Sequence, residues 1–81
     1  MACKVEVEIT PDGVLHVLCS DPDVEGHSAE NPARWGWHID RAQIIHHMRD
    51  PAFRQLVDDN ATDEQVEHIN KAIADFTPKG A

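Results

Sequence analysis

The sequence predicts an α+β fold, with an N-terminal antiparallel β-hairpin followed by two to three helices packed on one sheet face. Three observations carry that expectation. Residues 3–20 alternate in polarity on both sides of a Thr-Pro-Asp-Gly turn. Residues 41–76 carry apolar stripes at helical period, interrupted by Pro51. No apolar run approaches 18 residues, so no membrane span is expected. At 81 residues the chain is expected to be one small domain over 1–81. Such a chain buries roughly 60% of its unfolded surface, enough for a modest core and no deep cleft.

In the hairpin, CKVEVEI and VLHVLCS are the strands and TPDGV the turn. Pro11, Asp12 and Gly13 stand in the order that favours a type I turn closed by a left-handed glycine. That geometry sets Thr10 across from Val14 and Val5 across from Cys19. Val5, Val7, Ile9, Leu15, Val17 and Cys19 then share the face to be buried, and Lys4, Glu6, Glu8, His16, Leu18 and Ser20 share the other. Residues 21–33 form an acidic loop rich in Asp, Glu, Pro, Gly and Ser. Residues 34–39 suit a third short strand, with Trp35, Trp37 and Ile39 on one side.

Helices are expected over 41–49, 51–59 and 63–76, with a tail over 77–81. Asp40 and Gln43 have capping-box spacing, and Ile39 with Ile44 that of a hydrophobic staple. Pro51 disfavours helical geometry at Asp50, which is then placed to cap the next helix. Thr62 and Gln65 form a second capping box. Val66, Ile69, Ala72, Ile73 and Phe76 fill one arc of the last helix, opposite Glu64, Glu67, His68, Lys71 and Asp75. Glu64–His68 and Glu67–Lys71 are spaced to pair along it.

Catalytic and metal signatures are missing from the residue pattern. Six histidines raise the question of metal, but there is no Cys-x-x-Cys and no His-x-x-x-His. Adjacent His46 and His47 diverge by about 100° on a helix. Cys3 and Cys19 fit a small core pair better than ligands or a disulfide scaffold. DPDVEGH, residues 21–27, begins like a calcium loop, but its twelfth position is Pro32 where the closing glutamate belongs. No serine or cysteine has an activating neighbour, and no glycine-rich stretch could cradle phosphate. No enzyme activity and no cofactor are therefore expected. The absence of a leader segment at the N-terminus gives a cytoplasmic expectation.

Surfaces remain. The net charge is −8 and unevenly spread. Residues 34–54 hold four basic against two acidic side chains, a balance of +2, and the remainder holds three against thirteen, a balance of −10. That field disfavours direct nucleic-acid binding and suits a protein partner with a basic surface. Two patches are candidates: Trp35 and Trp37 rimmed by Arg34, His38 and Arg41, and a carboxylate row of Glu6, Glu8 and Asp12 with Asp21 and Asp23. Tryptophan and arginine are enriched among interface anchors. The expected function is a small acidic binding module acting stoichiometrically, as an inhibitor or regulator of a basic or nucleic-acid-handling protein. In size and charge it is similar to compact acidic proteins of phage and mobile elements. Two alternatives stand beside it: a histidine-based metal-binding or pH-responsive regulator, and a homodimer seamed on the tryptophan face.

Overall fold

The hairpin turn forms as its residue order predicts. In the computed structural model, which describes residues 3–78, Gly13 takes φ +87°. Its N–H donates to the Thr10 carbonyl at 2.9 Å, and the Thr10 N–H donates to the Val14 carbonyl at 3.0 Å. An L-residue in that left-handed geometry is strained, which is why glycine closes the turn. Strands β1 (Lys4–Ile9) and β2 (Leu15–Asp21) then pair with Val5 opposite Cys19 and Val7 opposite Val17. The third strand is present as β3 (Ala33–Ile39), one residue longer at its start than expected. It pairs antiparallel with β2, completing a three-stranded sheet in the order β1-β2-β3.

The first helical segment departs from expectation. Instead of one helix over 41–49, a 3-10 turn at Arg41–Gln43 leads into a four-residue helix α1 (Ile44–His47). Asp40 caps neither by its side chain, so the Asp40–Gln43 capping box does not form. The segment has Pro51 close behind it, and Asp50 is held extended at φ −83° and ψ 111°. The staple residues Ile39 and Ile44 are both buried in the core all the same.

The two later helices match their signals. Asp50 accepts from the N–H groups of Ala52 and Phe53 at the start of α2 (Pro51–Asn60), which runs one residue past the expected end. Thr62 and Gln65 close a reciprocal capping box at the start of α3 (Asp63–Phe76). Each such cap is worth about 1 kcal/mol. Among the described residues neither Glu64–His68 nor Glu67–Lys71 closes as an ion pair; the pairs formed are Lys4–Glu6, Arg41–Asp75 and Arg54–Asp58.

All helices lie on one side of the sheet. The core joins Val7, Leu15, Val17, Cys19 and Ile39 of the strands to Ile44, Val57, Ile69 and Ala72 of the helices. The largest fully buried side chains are Leu15, Val17, Ile44, Val57 and Ile69. Each contributes about 1.5–3 kcal/mol of transfer free energy. Phe76 falls in the apolar arc of α3 but is exposed, with the Arg41 guanidinium 5.5 Å from its ring centre. Of the expected tail, residues 79–81 lie outside the described residues. Among the described residues no helix is long and apolar enough to cross a membrane.

Candidate partner-binding surface

Strand alternation builds two unlike faces. On the helix side the cross-strand rows are Val5–Cys19–Trp35, Val7–Val17–Trp37 and Ile9–Leu15–Ile39. On the other side they are Lys4–Ser20–Arg34, Glu6–Leu18–Gly36 and Glu8–His16–His38. No residue of this second set is buried, so this face has no covering element among the described residues.

The expected patches are thereby regrouped. Trp35 and Trp37 share the helix side, while Arg34 and His38 point the opposite way. Arg41 is remote from Trp35, at the hairpin-turn end of the sheet. There it hydrogen-bonds Asp75, lies over Phe76 and packs against Gly13. The expected rim of Arg34, His38 and Arg41 around the indoles is therefore not formed. Strand parity causes this: residues 34 and 38 alternate with 35 and 37, and Arg41 follows the strand's far end. The two indoles also differ from each other. Trp37 is half-buried, edge-on to Phe53 with ring centres 5.1 Å apart. Trp35 remains 43% exposed, because the helices cover the Ile39 end of the sheet and stop short of the Trp35 end.

The open face brings together residues from both expected patches. Glu6 and Glu8 line it along β1, and Arg34 and His38 along β3. Leu18 stands in the centre, 37% exposed. Gly36 beside it leaves room, since a Cβ there would lie 2.5 Å from the Val17 carbonyl oxygen and 3.0 Å from Leu18 Cδ2. A shallow concavity of about 460 Å³ lies among Lys4, Glu6, Leu18, Ser20, Arg34 and Trp35. Lys4 Nζ is 3.0 Å from Glu6, both well exposed, so the pair is weak and easily redirected. His16 does not reach across to Glu8. Its ring stacks on His38, with centroids 4.1 Å apart and planes within 6°.

The remaining carboxylates sit at the two ends. Asp12 is in the exposed turn. Asp21 ends β2 and accepts from the Asp23 N–H at 2.9 Å, which folds the acidic loop back on itself. Further on, His27 N–H donates to Val24 and Ser28 exchanges backbone bonds with Asn31. Among the described residues no group of three or more His, Cys, Asp or Glu is placed to hold one metal ion. His46 is exposed, and the His47 ring lies against Phe53 at 5.7 Å. Both cysteines are free, with Cys3 exposed and Cys19 buried. Burial pushes the Cys19 thiol above its usual value, and Cys3 beside it adds to the effect. That shift is the reverse of what a nucleophilic thiolate needs.

No protein-family model, curated protein or solved structure matches the chain. Two features of the open face are not predicted by the sequence: Leu18 as its centre and the His16–His38 stack. Both depend on the β2–β3 register. The hairpin turn fixes β1 against β2, but the loop between Asp21 and Ala33 leaves the third strand free to slide.

Proposed function

We propose that the chain is a small acidic protein-binding module whose open sheet face takes up a partner with a basic surface. The observation that carries this reading is the uncovered face itself, with an exposed leucine at its centre and charged residues around it. That is the anatomy of a small interface: an apolar middle and a polar rim. Glu6 and Glu8 on the face, with Asp12 at one end and Asp21 and Asp23 at the other, favour basic groups on the partner. The net charge of −8 steers the same partners and repels phosphate backbones. Binding is stoichiometric, and the consequence is inhibition or regulation of a basic or nucleic-acid-handling protein.

The test is comparative capture from lysate at several salt concentrations. The baits are wild type, Leu18→Asp, and the reversal of Glu6, Glu8, Asp21 and Asp23 to lysine. Glu6, Glu8, Leu18 and Asp23 are exposed, where substitutions usually change stability by less than about 0.5 kcal/mol; Asp21 is partly buried and bonded to the Asp23 N–H, so circular dichroism confirms that the charge-reversed bait is folded. A captured species lost by both variants and weakened by salt is the expected outcome. Equal, salt-independent capture by all three baits would sink the proposal.

The stacked His16–His38 pair favours a pH-responsive version of the same surface. Histidine is the side chain through which protein surfaces most often respond to pH near neutrality. Wild-type binding that does not differ between pH 5 and pH 7.5 from that of His16→Gln removes this second reading.

A further inference from the structure

We infer that β3 is a self-pairing edge, and that two copies of this chain join through it about a twofold axis at Gly36. The two edges of the sheet are treated differently. The hydrogen-bonded Thr10–Val14 pair sets the alternation for the whole sheet, so Val5, Val7 and Ile9 turn their backbone groups outward from β1. That edge is clipped: the Gln65 side chain donates to the Val7 carbonyl at 2.9 Å. By the same alternation Arg34, Gly36 and His38 turn their backbone N–H and C=O groups outward from β3. Among the described residues no hydrogen bond reaches those groups. The strand is seven residues long and carries neither proline nor lysine, the usual guards of an exposed edge.

The occupant is a second copy because the strand is complementary to itself. Gly36 is the midpoint of Ala33–Ile39. A twofold there matches the three outward-facing residues in phase, Gly36 to Gly36 and Arg34 to His38, and pairs the strand over its full length. No like charges face each other directly. On the helix side Trp35 falls opposite the partner copy's Trp37, which covers the exposed indole with the partner's Trp37 and Phe53 surface. One diagonal step from Arg34 lies the partner copy's Asp40. Asp40 is exposed, extended at φ −58° and ψ 150°, and caps nothing with its side chain. Arg34 is exposed and, among the described residues, makes no ion pair. The twofold therefore supplies each with the other, twice. This strand also holds no acidic residue, so two chains of charge −8 meet where their mutual repulsion is least. The inference goes beyond the proposed function and stands whether or not the open face binds a partner, since pairing at the edge leaves that face exposed.

Sedimentation equilibrium from low micromolar to about 0.5 mM tests it. Wild type is expected to show a monomer–dimer equilibrium in that range. Arg34→Asp and Asp40→Arg are each expected to weaken the dimer about tenfold, and the double variant to restore it to within about threefold of wild type. His38→Pro deletes an outward N–H, leaves the β2–β3 ladder its bonds, and is expected to abolish the dimer. Circular dichroism confirms that each variant is folded, and the charge swap decides the matter where His38→Pro does not fold. A strictly monomeric wild type, or a double variant no better than either single one, overturns the inference.

Discussion

At the residue scale, Gly36 shows how one missing side chain shapes a surface. Its strand neighbours are bulky, yet it lies where a Cβ would come within 2.5 Å of a backbone oxygen of β2. Backbone cannot move aside as a side-chain tip can, so Gly36→Ala must push β3 away from β2. We expect a loss of about 2–3 kcal/mol, read as a shift in urea midpoint at constant slope. Gly26 is the control. Unlike Gly36 it has a positive φ, +84°, and nothing lies within 4 Å of a Cβ there. Gly26→Ala therefore carries only the left-handed backbone cost, about 1 kcal/mol. A Gly36→Ala loss no larger than that of Gly26→Ala would show that the sheet absorbs the crowding. Gly36 was legible in the sequence as a residue on the side opposite the tryptophans. Its crowding was not, because that depends on which β2 residues lie beneath it.

At the element scale, legibility follows how local each determinant is. The hairpin and α3 carry their instructions within a few residues: Pro11 to Gly13 for the turn, Thr62 with Gln65 for the cap. Both form as read. The segment after β3 carries an equally good capping signature in Asp40 and Gln43, yet forms only a 3-10 turn and a single helical turn. Ile39 and Ile44 are both drawn into the core within six residues, and Pro51 closes the other end. Tertiary burial at one side and a backbone block at the other outweigh a cap of about 1 kcal/mol. Trp35, Trp37, Arg34, His38 and Arg41 are divided between faces for a related reason: closeness in sequence is not a shared face in a strand. Thr62→Ala and Asp50→Ala should each cost about 1 kcal/mol, while Asp40→Ala, whose side chain caps nothing, should leave the chemical-denaturation midpoint of the monomer within about 0.3 kcal/mol of wild type. Measured at low micromolar concentration, an Asp40→Ala loss equal to that of Thr62→Ala would mean that the cap does form in solution.

At the scale of the whole molecule, the helices and the sheet overlap only in part. The radius of gyration is 14.4 Å, against about 12 Å for a compact chain of this length. The long dimension is 50 Å against 25 and 19 Å across. At the covered end one side chain gathers several elements. Arg41, just past β3, packs on the hairpin turn at Gly13, lies over Phe76 and hydrogen-bonds Asp75 near the end of α3. That hydrogen bond is the main reason the Asp75 carboxyl sits below its usual value, with the Arg41 and Lys71 charges assisting and partial desolvation opposing. The sign of the pH effect follows. A carboxylate with a lowered folded-state pKa binds its proton more readily when the chain unfolds. Its stabilisation is complete above the unfolded value near 4 and is lost as pH falls through the lower folded value. Wild type alone does not isolate this, because the many other carboxylates relieve their mutual repulsion over the same range. The difference from Asp75→Asn does. Wild type should melt higher than Asp75→Asn by a constant margin from pH 7 down to about 4.5, and the margin should shrink as pH falls further, through the lowered folded-state value. Because both partners are partly exposed, added salt should shrink it at neutral pH as well. A margin that persisted undiminished in acid would mean that the asparagine disturbs packing around Phe76 and that the Arg41–Asp75 pair is not what ties α3 to the end of the sheet.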